Sequence, residues 1–552
     1  LANATAEPGP PALAPDRPLG SISGDLVGAS LLIGVLSLAL PIAMLHVYDR
    51  ILANAGIGTF WLLASGVAVA IVLETGLRIV RASLIAHAGA VYEATAQARA
   101  IDRLLHTPLP AFEASGHGAY LERLASIATV REAYSGAAFQ TLLDLPFCVL
   151  YVAAILHLSP LLATVPLAGG LLFLLASLLV ARRVRRAVTR LSDGEERRFN
   201  MLFDVLSGIH SIKALGLEAQ MARRYERLQQ GCAGARARLA EVQLQGQGLA
   251  LLLANLAAAA VAGLGCIEVL EGRLTVGGLG ACLMLTGRAM QPLGGALGVF
   301  ARAEVLKGAR ARLAEIETLP DARIAGAPPL RAPHGRVVLE GVRLARADGA
   351  PVLDQAGIDI AAGSTIGIRA ANGAGKTTLL QVMLGARRPD QGRVLVDGQD
   401  LAAVDPASIA ASIAYLPPRG ELVRGTLLEN LTMHRPALAP RARAIAAELG
   451  LDTLAATLPQ GYETRLADGS TVVSSGTAQL ITIVRALVGQ PRVLLFDEAN
   501  IYLDVANDRA LAALLRRLSG HCTIVLVSDR PSTLALAAAQ FRLADGRLER
   551  LA

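Results

Sequence analysis

Aromatic side chains are scarce in this sequence: Phe, Trp and Tyr make up 4% of its 552 residues, and only one is Trp. No basic stripe with interleaved aromatics is present, so the excess of Lys+Arg (52) over Asp+Glu (45) does not describe a nucleic-acid-binding surface. The basic residues instead flank apolar runs, as cytoplasmic anchors do. Charge is also sparse, at 18% of residues, against 53% hydrophobic and a mean hydropathy of +0.48. A water-soluble protein rarely shows that balance. The cysteines Cys148, Cys232, Cys266, Cys282 and Cys522 have no metal-ligand spacing and read as small buried hydrophobes. Residues 1–19 lack a basic n-region and are rich in Ala and Pro, so they read as a flexible tail and not as a signal peptide.

What is present before about residue 300 is a set of long apolar runs. A hydrocarbon core needs about 20 apolar residues per helix. Six segments meet that length, roughly 26–46, 59–80, 138–157, 160–181, 244–268 and 275–298. Two long amphipathic stretches follow the second and fourth spans and read as helical extensions outside the lipid bilayer. Arg78 and Arg81 follow the second span, and the Arg-rich run Ala181–Arg190 follows the fourth. This bias puts the N-terminus, both long loops and the C-terminus in the cytoplasm. Glu74 and Arg78 read as an i,i+4 ion pair. Arg288 lies deep in the sixth span, where an ionisable residue marks a candidate transport path.

Residues 20–305 are therefore assigned to a six-helix transmembrane domain, 306–335 to a linker, and 336–552 to a second domain. There, short β-branched strands such as RVVLEGV, TIGIRA, RVLVDG, VLLFDEA and TIVLVSD alternate with helical segments. That alternation predicts a parallel α/β fold. TIGIRA runs straight into ANGAGKTTLL, so a strand, a Gly-rich turn and a helix follow one another. Backbone N–H groups of Asn372, Gly373, Ala374, Gly375 and Lys376 can wrap a phosphate there, with Thr378 in the same turn. Lys376 would reach the β/γ-phosphates and the Thr377 hydroxyl would bind Mg²⁺. Ala370 stands where the motif usually has Gly. Farther on, an apolar strand ends in Asp497 and Glu498. Asp497 would hold the metal shell, and Glu498 would orient or deprotonate the attacking water.

GAGKTT, VRGTLLENL, LPQGYET, SSGTAQLITIVRALV and FDEANIYLD, in that order, resemble the ATP-binding-cassette ATPases. The six spans with long cytosolic loops resemble the exporters of that superfamily. PIAMLHVYDRI, DLPFCVLYV, LSGIHSIKALGLE and GRLTVGGLGACLMLTGRAMQPL are similar to the transporters of type I protein secretion systems. The resemblance implies a membrane α-helical domain of exporter type fused to an α/β P-loop ABC ATPase domain. It also implies ATP and Mg²⁺ as ligands and the bacterial inner membrane as the location. Its implied partners are a second half-transporter subunit, a polypeptide substrate, a periplasmic adaptor and an outer-membrane channel. No peptidase domain is expected in the short stretch before the first span.

Several family positions are altered. Arg346 stands where an aromatic residue stacks on adenine, and an Arg plane can stack there less reliably. Pro418 replaces the glutamine that senses the metal and the transport domain. The signature reads VSSGT, keeping Ser474 and Gly476. Asp529 replaces the switch histidine, placing an acid where a donor normally meets the γ-phosphate. Glu498, Asp504, Ser474 and Gly476 are the residues the resemblance assigns to catalysis, the last two completing a partner's site. The pattern resembles the degenerate half of a heterodimer. The alternatives are a homodimeric exporter of a peptide, lipid or drug, and an ATP-binding pseudo-ATPase that scaffolds or gates a secretion complex. In exporters of this kind the two long loops reach the cassettes, here through segments near Phe112–Tyr120 and Ser207–Glu218.

Overall fold

The computed structural model describes residues 23–54, 56–115, 117–346, 349–466 and 473–551; the expected tail at 1–19 lies outside them. The chain divides into two compact units. One comprises residues up to Leu105 with Ser115–Leu319, and the other His106–Ala114 with Pro320–Ala552.

The first unit is helical. Among the described residues, five stretches are long and apolar enough to cross a membrane: Gly24–Ile51, Ile57–Leu105, Gly118–Leu158, Pro160–Leu178 and Glu218–Leu270. The sixth apolar helix is shorter than expected. It stops at Met290, and a new helix runs from Leu293 to Glu317. Pro292 lies between them, where its missing N–H and fixed φ favour a break over one continuous span. The helix from Leu293 extends through residues 306–317, the first part of the stretch read as a linker. Leu306, Ala309, Leu313 and Ile316 repeat at helical spacing and pack against Tyr92, Ala96, Ile127 and Val130. Of the five cysteines, Cys232, Cys282 and Cys522 are buried as expected, Cys148 is half-buried and Cys266 is exposed.

Polar groups tie these helices together. Arg81, only 5% exposed, donates to Asp144 at 2.7 Å and to the Ser30 hydroxyl at 3.2 Å. Arg78 and Glu74 form the expected pair at 2.7 Å. The first span ends in a π-helical turn, Val47–Ile51. That turn aims Asp49 at the start of the helix Val276–Met290. Its Oδ1 accepts from the Gly277 N–H at 2.9 Å and its Oδ2 from the Thr275 hydroxyl at 2.6 Å. The carboxylate thus satisfies donors that a helix N-terminus leaves unpaired. A Cβ on Gly277 would meet the Leu45 carbonyl oxygen and, at 2.6 Å, Asp49 Oδ1. Gly277→Ala is therefore expected to lower the unfolding midpoint in detergent by several degrees. Gly263→Ala is the control, since a Cβ there meets nothing within 4 Å, and it should leave the midpoint unchanged or slightly raised. Thermal challenge followed by size-exclusion chromatography reads both.

The second unit is α/β. Its strands are β1 (Val337–Ala345), β2 (Pro351–Ile360), β3 (Thr365–Ala370), β4 (Gln391–Val396), β5 (Gln399–Asp400), β6 (Ile413–Leu416), β7 (Gly425–Thr426), β8 (Arg465–Leu466), β9 (Val493–Asp497), β10 (Thr523–Val527), β11 (Ala539–Ala544) and β12 (Arg547–Arg550). One sheet runs β2-β1-β4-β5 and is antiparallel. The larger sheet runs β12-β11-β3-β10-β9-β6, parallel from β11 to β6. β9 and β10 are buried along their whole length, which is why they read as unbroken apolar runs. Asp397 fastens the entry to β1 by accepting the N–H groups of His334, Gly335 and Arg336 at 2.8–2.9 Å. In the large sheet Val527 pairs with both Ile368 and Asp497. The carboxyl ends of β3, β10 and β9 therefore lie side by side, the edge where open α/β sheets bind ligands.

Candidate nucleotide site

β3 delivers the chain to the phosphate loop. Gly373 and Gly375 adopt φ of 80° and 96°, a region that only glycine enters freely. A Cβ on Gly375 would also come within 2.8 Å of Val352 Cγ1. Ala370 needs no such freedom, since it is a strand residue paired with Leu543 and its φ is not positive. The usual glycine is dispensable there. The helix Lys376–Met383 begins immediately after Gly375, so its first N–H groups have no intrahelical partner and face the loop.

β9 brings Asp497 to the same edge. Its Oδ2 accepts from the Thr377 hydroxyl at 2.8 Å and from the Tyr415 hydroxyl at 2.9 Å. Burial pushes the Asp497 carboxyl above the usual carboxylate range; the two hydroxyls oppose this and the Glu498 charge adds to it. Burial, with the nearby Asp497 charge, also raises the Tyr415 phenol. The chain then turns at Glu498, whose φ is 48° and whose N–H donates to the Val527 carbonyl at 2.9 Å. A non-glycine residue in that region carries strain on the order of 1 kcal/mol. The turn directs the Glu498 carboxylate onto the Lys376 ammonium, where the two form an ion pair. Asp529 Oδ2 lies 3.4 Å from the same ammonium. Burial alone would lower the Lys376 pKa, but the hydrogen bond and charge of Glu498, with those of Asp529, raise it overall.

The phosphate loop and the end of β9 border one cleft of about 410 Å³, lined by Arg346, Asn372, Gly373, Gly375, Lys376, Thr377 and Thr378 on one side. Asp497, Glu498 and Pro418 line it as well, and so do Val352 and Arg387. Tyr415, Val352 and Arg387 were not identified in the sequence. Tyr415 stands in the AYLP stretch, where only the altered glutamine position drew notice. Among the described residues no three His, Cys, Asp or Glu gather as a metal site. Thr377 and Asp497 supply hard oxygen donors at hydrogen-bond distance of each other. That fits a Mg²⁺ ion whose remaining ligands are phosphate oxygens and water.

Ser474, Gly476 and Asp504 are not in that cleft. Ser474 caps the helix Ser475–Val488, its hydroxyl accepting from the Thr477 N–H at 3.2 Å. The Thr477 hydroxyl is 3.0 Å from the Ser474 hydroxyl, a contact made by a substituted signature position. A Cβ on Gly476 would lie 2.8 Å from the Tyr502 carbonyl, which explains why glycine stands there. Asp504 caps the next helix, Val505–Leu518, through the Asn507 N–H at 2.7 Å. The signature and the IYLD stretch thus pack on each other, apart from the phosphate loop of the same chain.

The comparisons agree with this geometry. Residues 26–293 match the ABC transporter transmembrane region and residues 353–500 match the ABC transporter family. The chain is 30% identical over 517 residues to the cyclolysin secretion/processing ATP-binding protein CyaB of Bordetella pertussis, covering 93% of this chain and 72% of that one. It is 26% identical over 515 residues to the alpha-hemolysin translocation ATP-binding protein HlyB of Escherichia coli O157:H7, covering 92% and 72%. Its fold is similar to that of a bacterial Atm1-family ABC exporter with ATP bound, with TM-score 0.81 and 23% identity over 96% of this chain and 94% of that one. The strand edge, the phosphate loop and the relatives converge: the chain belongs to the ATP-binding-cassette transporter family, an ATP-driven exporter carrying its transmembrane domain and its cytoplasmic ATPase domain in one polypeptide.

Proposed function

We propose that this chain exports a polypeptide across the inner membrane as one half of a heterodimer, and that its own ATP site is slow. The observation that carries the reading is the separation inside the cassette. Lys376, Thr377, Asp497 and Glu498 line the cleft, whereas Ser474, Gly476 and Asp504 lie outside it. A single chain thus holds half of each catalytic set, and a second cassette completes it. The heterodimer is favoured over the homodimer because Asp529 sets a carboxylate 3.4 Å from Lys376, in the place where charge develops during phosphoryl transfer. Mg²⁺ held by Thr377 and Asp497 would neutralise phosphate charge. The polypeptide cargo is supported by the relatives, whose names specify cyclolysin secretion and alpha-hemolysin translocation. A periplasmic adaptor and an outer-membrane channel complete the proposed route.

The test is ATPase activity of the chain purified alone and after co-expression with a paralogous half-transporter. Co-assembly is expected to raise turnover per site by about tenfold or more. A stable dimer of this chain alone, with turnover that the paralogue does not increase, would establish the homodimer instead.

A further inference from the structure

Residues Leu384–Arg388 leave the helix behind the phosphate loop and run between two cavities of the cassette unit. One is the nucleotide cleft, which Arg387 lines with Thr378 and Pro418. The other is a groove of about 1120 Å³, lined by Leu384, Ala386 and Arg388 on one side and by Thr107–Pro110 on another. The segment at that second wall belongs to the loop after the second span. It continues directly from the helix Ile57–Leu105 and includes the short helix Leu109–Glu113. The Ala322 N–H fastens it by donating to the His106 carbonyl at 2.7 Å.

Arg387 touches both sides. Its Nη2 lies 3.6 Å from Glu113 Oε2. Its Nε is buried and has no acceptor among the described residues. A guanidinium has five donors in a rigid fork suited to carboxylate and phosphate. Here one arm makes a long pair with a half-exposed carboxylate while another donor is unused beside a phosphate-binding cleft. A buried donor without an acceptor is costly, so an incoming anion has a strong claim on it. The Pro418 side chain, on the same cleft, offers neither a donor nor an acceptor.

We propose that Arg387 is the positioning residue through which nucleotide occupancy reaches the segment His106–Ala114. The inference rests on the reading of the cleft as an ATP site. Phosphate in the cleft draws the guanidinium and changes its hold on Glu113. The segment's attachment to the cassette then depends on whether nucleotide is bound. Coupling of this kind needs two ligands competing for one group with two arrangements, and Arg387 supplies that group.

The test is hydrogen exchange at amides 106–114 in the full chain in lipid nanodiscs, with and without Mg²⁺ and a slowly hydrolysed ATP analogue. Azido-ATP labelling is run in parallel. In the unsubstituted chain, nucleotide is expected to change exchange in this segment by about threefold or more. Glu113→Gln, which leaves the cleft lining intact, is expected to remove the response while labelling persists. Arg387→Ala should remove it too, and Arg387→Lys should retain part of it. A purely structural anchor predicts otherwise: both variants would loosen the segment equally in each state and keep the nucleotide response. That result, with labelling intact, would overturn this proposal alone. Absence of labelling in the unsubstituted chain would sink the ATP-site reading and this proposal with it.

Discussion

Lys376→Ala is expected to abolish nucleotide photolabelling of this chain. Three carboxylates, Asp497, Glu498 and Asp529, stand around the phosphate-binding edge, and Lys376 is the cation that pairs with two of them. Nucleotide can enter only if that ammonium turns from the carboxylates to the phosphates. Without it, the phosphates would face the same acids with one fewer positive charge. Two unit charges about 4 Å apart at an effective dielectric of about 20 interact by about 4 kcal/mol, roughly a thousandfold in affinity. That loss outweighs what the loop amides and helix N-terminus retain. Ala370 offers no competing explanation, because its backbone does not need glycine. Labelling at the unsubstituted level after Lys376→Ala would show that the cleft is not the nucleotide site. Thr377→Ala tests the metal side of the same cleft: labelling should weaken, and the residual signal should lose its Mg²⁺ dependence.

The phosphate loop and the acidic strand end were legible because their chemistry is local. Two glycines with positive φ, one Lys and one Thr occupy consecutive positions, and Asp497 closes an unbroken apolar strand. The helical fold of the membrane unit was legible for a similar reason, since length and apolarity suffice for a span. Element ends were least legible where two local signals compete. LPDARIAGAPPL reads as a linker through its Pro and Gly residues, but it begins only at Leu319. The apolar row Leu306, Ala309, Leu313 and Ile316 carries the helix to Glu317. Pro292 sits inside an apolar run, and the run concealed the break. Long-range pairings were not legible at all. Asp49 on Gly277, Tyr415 on Asp497 and Glu113 beside Arg387 join residues distant in sequence, and only the fold brings them together. Asp529 was legible as a missing histidine, but its attachment to Lys376 was not.

That attachment sharpens the expectation for catalysis. Glu498→Gln is expected to reduce the ATPase activity of the assembled complex only modestly, while the equivalent change in the partner cassette nearly abolishes it. In this chain Glu498 holds Lys376, and Asp529 stands 3.4 Å from the same nitrogen. The transition state spreads negative charge over the γ-phosphoryl oxygens, and Asp529 adds a carboxylate where a donor is needed. Losing one such donor costs on the order of 10²–10³ in rate. Asp529→His removes the second carboxylate from Lys376 and supplies a donor. In a complex whose partner base is already inactivated, it is expected to raise residual turnover about tenfold or more, short of the full factor because Pro418 remains. Adding Glu498→Gln in that background should remove the gain, which separates restored chemistry from a change in assembly. If Glu498→Gln alone abolishes activity in the otherwise unsubstituted complex, this chain carries a working site. If Asp529→His leaves residual turnover unchanged, the carboxylate at that position is not what slows it.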